Sequence, residues 1–300
     1  MSEPKIFISI LNYNSYQETI ECLKSVLNLE YENFSIVLVD NASKDESVKQ
    51  ISQFLEENRL DYDCMDAHKL QLSNKKIVFI YSDENRGYAA GNNIALRFAA
   101  LQGYDYFWIL NNDTIVDQKA LQHFVHCARS SQKNVGIWGN VLYYYNSSKL
   151  QGIGGKYNKF IAQSRGVGFG QKDHKRVCLH KSKVDFPIGA SLFFKREFIE
   201  EVGMLNETYF LFFEEMDIVQ RAKNMGWNFD ICCKVIVWHK ESVSTKKVSD
   251  LSDIVRLKNR IRFTKNYFPC YLPWVILSFI PVLINRLRRG KWNIVRELLR

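Results

Sequence analysis

The stretch Phe107-Trp108-Ile109-Leu110-Asn111-Asn112-Asp113-Thr114 decides the fold. An apolar run with the length and composition of a buried parallel strand ends abruptly in three polar residues. In an open α/β sheet, ligands bind just beyond the carboxyl ends of the strands. Asp113 therefore stands where a chemical site is expected, offering a hard oxygen ligand suited to Mg²⁺ or Mn²⁺. Taken alone, Asn-Asn-Asp-Thr also reads as a turn with a helix cap. What separates the two readings is that other strands end in the same way.

Upstream, Ile6–Leu11 reads as a strand closed by Asn12-Tyr13-Asn14-Ser15, and Gln17 to Leu29 as an amphipathic helix with Ile20, Leu23, Val26 and Leu27 on one face. Phe34–Val39 is a second strand ending in Asp40-Asn41-Ala42-Ser43. Asp61 to Asn74 is polar and unpatterned, a loop or helix tail. Lys76–Tyr81 is a third strand, followed by Asn85-Arg86-Gly87-Tyr88-Ala89-Ala90-Gly91-Asn92-Asn93 and a helix through Ala100. Glycines at a helix N-terminus let a phosphate-bearing ligand approach backbone N–H groups; the same Gly87 and Gly91 equally permit tight helix packing. A helix from about Asp117 to Ser130 completes a β-α-β-α-β-α-β-α order, which implies a doubly wound parallel sheet. His123 and His126 on that helix read as a solvated face.

Downstream the pattern loosens. Val135–Tyr145 reads as a strand, Gly152 to Gly170 as glycine-rich hairpins or a flap, Phe186–Phe194 as a strand, and Lys195 to Val202 as a short helix closed by Gly203. Tyr209–Phe213 then runs into Glu214-Glu215-Met216-Asp217, three carboxylates within four positions. Crowded carboxylates raise one another's pKa, which suits general-base work; acids at a helix start also complement its dipole. Trp227 to Trp238 is strand-rich and delivers His239 to one more strand end.

A chain of 300 residues, 46% hydrophobic, is long enough for one large core plus an appendage. Its seven cysteines are odd in number, scattered and free of any Cys-x-x-Cys pair, so reduced cytoplasmic thiols are expected. The N-terminus has no secretory signal pattern. Of the net charge of +9, the whole excess lies in residues 251–300, where eleven Lys and Arg face two acids. That disfavours a general nucleic-acid binder and favours a local patch aimed at an anionic surface.

Seven segments in order resemble a family 2 glycosyltransferase of the GT-A fold, of the bacterial rhamnosyltransferase-like branch. They are Leu-Asn-Tyr-Asn (11–14), Val-Asp-Asn-Ala-Ser (39–43), Asn85–Asn93, Leu-Asn-Asn-Asp-Thr (110–114), Gly189-Ala190, Phe210–Arg221 and Trp238-His239, spanning roughly three quarters of the chain. The resemblance implies a Rossmann-like, mostly parallel mixed sheet flanked by helices. It implies an inverting hexosyl or rhamnosyl transferase acting in bacterial surface polysaccharide synthesis. The donor would be dTDP-rhamnose or a UDP-hexose, and the acceptor a glycan or polyprenyl-linked hydroxyl. Asp40 would accept from the pyrimidine, with Asn12, Asn14, Asn41 and Ser43 in the same pocket. The loop bearing Asn85, Gly87, Asn92 and Asn93 would embrace ribose and diphosphate, with Asn112, Gly189 and Ala190 nearby. Asp113 and His239 would hold Mn²⁺ or Mg²⁺; the first position of the family's Asp-x-Asp motif is Asn111 here, so one carboxylate is missing. Glu215 stands at the base position between Glu214 and Asp217, where the family has Asp. A pyrophosphorylase would share the sheet but needs a glycine-rich loop after the first strand, which Asn12–Ser15 is not. A degenerate transferase serving as a membrane scaffold is the other alternative.

The expected division is a GT-A domain over 1–245 and a basic, apolar helical extension over 246–300. Within the extension, Asp253–Asn266 reads as a cationic helix. Tyr271–Ile284 is apolar, shorter than the ~20 residues of a spanning helix and broken by Pro273 and Pro281. Flanked by Arg286, Arg288, Arg289 and Lys291, it suits an interfacial anchor on the inner face of the cell membrane. The alternative is a helix pair packed on the catalytic domain or on a second copy of the chain.

Overall fold

The computed structural model describes residues 3–240, 250–292 and 296–297. The domain boundary expected at 245/246 and the terminal Arg300 lie outside them. The first half follows β1 (Ile6–Asn12), α1 (Tyr16–Leu27), β2 (Phe34–Asn41), α2 (Ser47–Glu57), β3 (Tyr62–Asp66), β4 (Ile77–Ser82), α3 (Tyr88–Gln102), β5 (Tyr106–Asn111), β6 (Thr114–Val116) and α4 (Ala120–Ser130). The second follows β7 (Val135–Tyr144), β8 (Leu150–Gly152), β9 (Gly155–Asn158), β10 (Gln163–Gly166), α5 (His174–Cys178), β11 (Ser191–Lys195), α6 (Arg196–Val202), α7 (Glu214–Asn224) and β12 (Asn228–His239). The tail forms α8 (Asp250–Tyr267), α9 (Leu272–Leu277) and α10 (Phe279–Arg288).

The main sheet runs β3-β4-β2-β1-β5-β11-β7-β12-β6, with β8 on β7. β3, β4, β2, β1 and β5 are mutually parallel, whereas β11 inserts antiparallel between β5 and β7. The apolar strands are continuous because both faces are covered. Ile6, Ile8 and Ile10 pack with Leu23 of α1, Ile51 of α2 and Phe124 of α4, while Phe7 points into the opposite layer with Phe98 of α3, Phe198 of α6 and Ile218 of α7. In-register pairing aligns Asn12 with Asp40 and Leu11 with Asn111, so the polar strand ends meet along one edge.

Several expectations are corrected. The polar 61–74 segment holds the edge strand β3, paired with β4 from Tyr62 to Asp66; its side chains are half exposed, so no apolar run announces it. The strand expected over Phe186–Phe194 begins only at Ser191. The helix expected from Asp117 starts at Ala120, because Thr114–Val116 turns back to pair with β12. Four cysteines are not thiols: Cys127 is bonded to Cys232, and Cys178 to Cys233. Strand alternation explains the pairing, since consecutive residues of β12 face opposite sides of the sheet and meet α4 on one and α5 on the other. Cys22, Cys64 and Cys270 remain free.

The tail is helical and apolar as expected, but its helical stretch is longer than the apolar run read from the sequence. Pro269–Arg288 is a 20-residue helical stretch long and apolar enough, by length and composition, to cross a membrane. The prolines fall at or near helix starts, where a missing N–H costs little. α8 joins the core through the buried Phe263. Its cations do not all face outward: Arg260 is 3% exposed.

Candidate active site

The strand-edge residues form three linked groups. In the first, Asp40 Oδ2 accepts from Asn12 Nδ2 (2.7 Å) and Ser43 Oγ (2.7 Å), and its Oδ1 accepts from the Ser43 amide (2.9 Å). Three of a carboxylate's about four acceptor positions are thereby taken. Asn14 joins the group: its amide donates to Ser43 Oγ, and its own Oδ1 caps the Lys44 amide.

The second group is the loop before α3. Asn41 Nδ2 donates to Asn85 Oδ1 (2.9 Å) and to the Gly87 carbonyl (3.2 Å), leaving Asn41 Oδ1 buried without a partner. Gly87 has φ +94°, and a Cβ there would lie 2.2 Å from the Phe210 carbonyl oxygen. A Cβ at Gly91 would meet Leu11 at 2.5 Å. Tight packing therefore accounts for both glycines. The first N–H groups are occupied as well, Gly87 N–H by Asn85 Oδ1 and Tyr88 N–H by the Phe210 carbonyl. Asn92 and Asn93 are buried and satisfied within the protein: Asn92 bonds Ser9 and the Tyr88 carbonyl, and Asn93 ties α3 to Leu205 and Glu207.

The third group is built on the α7 carboxylates. Glu214-Glu215 opens α7 after Phe212 and Phe213, which both hold left-handed backbone (φ +67° and +76°). Bulky residues adopt that conformation only where the surroundings over-determine it. Here Asn259 of α8 clamps the turn, its Nδ2 donating to the carbonyls of Leu211 (2.9 Å) and Phe212 (3.0 Å). Asp217 is satisfied by Asn206, Tyr267 and Arg221, so it holds the fold together. Glu214 and Glu215 each keep a buried Oε2 without a partner. Burial pushes the Glu215 carboxyl up to about 7, opposed by backbone N–H groups of the first turn. Burial, then the charges of Glu215 and Asp217, raise Glu214 further.

Gly189 lies against Glu215: a Cβ there would sit 3.6 Å from its side-chain carbons. The Tyr88 hydroxyl lies 2.9 Å from both the Gly189 carbonyl and Asn111 Oδ1, and its single proton serves one of them at a time. Its phenol is held far above its usual pKa, first by burial and then by Glu214, Glu215 and Asp113. Tyr88 thus joins the α7 carboxylates to the end of β5, where Asn111 also bonds the Ala190 carbonyl through its amide and Asn112 bonds Thr19. Sequence reasoning missed Tyr88, Asn259 and Gln151. Tyr88 stood inside a quoted motif, while the other two had no local signal.

Antiparallel pairing of His239 with Thr114 brings His239 Nε2 to 3.0 Å from Asp113 Oδ1. Gln151 Nε2 donates to the His239 carbonyl, which turns Gln151 Oε1 toward His239 Nδ1 at 2.8 Å. Nδ1 then carries the proton, and the Nε2 lone pair faces a carboxylate oxygen. Such a pair repels unless a proton or cation lies between. Ligands at right angles around an ion at ~2.1 Å are about 3.0 Å apart. Asp113 and His239 therefore fit a divalent ion, although among the described residues no group of three or more His, Cys, Asp or Glu is arranged to hold a metal.

Residues 7–203 match the family model described as Glycosyl transferase family 2. The chain belongs to this family. It is 22% identical over 292 residues to the low-salt glycan biosynthesis hexosyltransferase Agl10 of Haloferax volcanii, covering 95% of this chain and 90% of that one. It is 28% identical over 128 residues to poly-beta-1,6-N-acetyl-D-glucosamine synthase of Staphylococcus aureus, covering 43% of this chain and 26% of that one. Among solved structures it resembles the mannosyltransferase PcManGT from Pyrobaculum calidifontis in complex with GDP-Man and Mn²⁺, with a TM-score of 0.60 at 16% identity over 99% of this chain and 79% of that one. It also resembles S. aureus TarS, with a TM-score of 0.52 at 11% identity over 88% of this chain and 40% of that one. The fold is GT-A, and this family 2 member is a glycosyltransferase.

Proposed function

We propose that the protein transfers a hexosyl or rhamnosyl unit, with inversion, from a nucleoside diphosphate sugar to a hydroxyl of a glycan or lipid-linked acceptor. The observation that carries this reading is the Glu215 carboxyl against Gly189, with its Oε2 buried and unpartnered, next to Tyr88, which reaches the strand edge that ends in Asp113. The Asn12–Asp40–Ser43 group and Asn14 would receive the base, with Asn41, Asn85, Asn112 and Ala190 lining the donor's path. Asp113 and His239 would hold Mn²⁺ or Mg²⁺; such an ion supplies charge neutralisation for the departing diphosphate. Imidazole favours Mn²⁺ of the two. Asn111, at the missing carboxylate position, is instead one of the two acceptors open to the Tyr88 hydroxyl.

In the transfer, Glu215 takes the acceptor proton as the hydroxyl oxygen bonds the anomeric carbon. The bond from that carbon to the diphosphate breaks on the opposite face, and its electron pair leaves with the nucleotide. Burial raises the Glu214 carboxyl well above its usual range, which disfavours a second full charge beside Glu215. Asp217 keeps α7 in place.

The tail would attach the enzyme to an anionic membrane on the cytoplasmic side. Supporting this, Trp274, Ile276, Leu277, Ile280 and Ile284 are exposed on a helical stretch of which only 11% is buried. A mass-spectrometric screen of dTDP-rhamnose, UDP-glucose, UDP-N-acetylglucosamine and GDP-mannose against lipid-linked saccharide acceptors tests the reading. Transfer from at least one donor is expected; no transfer or donor hydrolysis with any of them overturns it.

A further inference from the structure

A cleft of about 500 Å³ opens between α7 and the tail helices, with Glu215 on one wall and Arg256, Arg260, Arg286 and Asp253 on the other. Three of its residues have a buried polar atom without a partner: Glu215 Oε2, Arg260 Nε and Arg286 Nε. Arg286 is paired with Asp253 at 2.7 Å. Arg260 has no carboxylate partner among the described residues. It is 3% exposed, held by the Ile161 carbonyl and Ser278 Oγ, and its guanidinium lies 4.4 Å from the centre of the Phe279 ring. Arg256 likewise has no acid partner among the described residues and rests 4.4 Å over the Phe212 ring, next to the strained turn before Glu215.

A buried guanidinium without a counter-charge is costly, and burial draws Arg260 down to about 10. A fixed, desolvated guanidinium such as Arg260, with the exposed Arg256 held over a ring beside it, suits recognition of a multiply charged oxyanion. A single carboxylate would need only one fork, whereas this cleft offers two unpaired arginines and a third in reserve behind Asp253.

We propose that this cleft is the acceptor site and that the acceptor is a phosphate or diphosphate ester, its anion bound by Arg256 and Arg260 while its hydroxyl reaches Glu215. The proposal rests on the glycosyltransferase reading and names its acceptor class. α10 contributes Val282 and Arg286 to the cleft and leaves Ile280 and Ile284 exposed, so the anion site adjoins the apolar surface of the tail.

Calorimetric titration of the full chain in EDTA, which disables a metal-held diphosphate site, tests this with inorganic pyrophosphate and with farnesyl diphosphate. Both should bind, and affinity should fall at least about tenfold in Arg256→Gln and in Arg260→Lys, the worth of one charge-assisted hydrogen bond. Lys49→Gln, which removes an exposed charge from α2, should change nothing. Tighter binding of farnesyl diphosphate assigns the anion to a lipid carrier, and equal binding to a soluble phosphate ester. Thermal melts confirm folding, and the exposed Arg256 keeps the test valid should Arg260→Lys unfold. No binding, or binding indifferent to both substitutions, in protein that still hydrolyses a nucleotide sugar overturns the acceptor proposal alone. Absence of hydrolysis of every donor overturns the transferase reading instead.

Discussion

Glu215 and Asp217 show how neighbouring carboxylates come to differ. Asp217 is saturated by three donors from three segments, while Glu215 is left with a free oxygen and a pKa raised to about 7. A base works unprotonated, so turnover should rise with pH up to about 7 and fall about tenfold per unit below it. Glu215→Gln should lower turnover by roughly 10²–10⁴ and abolish that limb while nucleotide binding persists. A flat profile from pH 5 to 8, with a mild Glu215→Gln and an inactive Asp217→Asn, would move the base to Asp217. Asp217→Ala should instead act on stability, losing about 3 kcal/mol in denaturant melts because Arg221 is stranded. The crowding of three carboxylates was legible in the sequence; which one stays free was not. Asn206, Tyr267 and Arg221 make that choice, and Tyr267 lies fifty residues away.

At the scale of elements, parallel strands ending in Asn12, Asp40 and Asn111 were legible because each is a continuous apolar run stopped by polar residues. β3 and β6 were not, since one is half exposed and the other is three residues long. The clamp from α8 onto the turn before α7 was equally silent, for it depends on one amide meeting two carbonyls across 47 and 48 residues. Asn259→Ala should cost about 2 kcal/mol in stability and lower kcat more than nucleotide affinity, because it frees the strained turn that aims Glu215. Equal losses in both would make Asn259 a general support. The cysteines of α4, α5 and β12 give a second test. Denatured, unreduced protein should show three reactive thiols against seven after reduction; seven without reductant would contradict both pairings.

At the scale of the molecule, the basic excess of the tail was legible from the sequence, but its use was not. Arg260 and Arg286 turn inward to the cleft beside Glu215, while Val275 and Phe279 are buried and Trp274, Ile276, Leu277, Ile280 and Ile284 remain outside. The full chain should sediment with anionic liposomes, less so at high salt, and truncation after Asn266 should release it. Protein that stays in the supernatant at low salt would favour a tail packed on the protein itself. The central claim is that one edge of the sheet binds a nucleoside diphosphate through an ion held by Asp113 and His239. The direct measurement is titration of UDP, dTDP and GDP with Mn²⁺ and with EDTA, in the intact protein and in Asp113→Ala. At least one nucleotide should bind more tightly with Mn²⁺, and Asp113→Ala should erase that gain while leaving binding in EDTA nearly unchanged. Affinities indifferent to Mn²⁺, or lost equally with and without it, would contradict the claim.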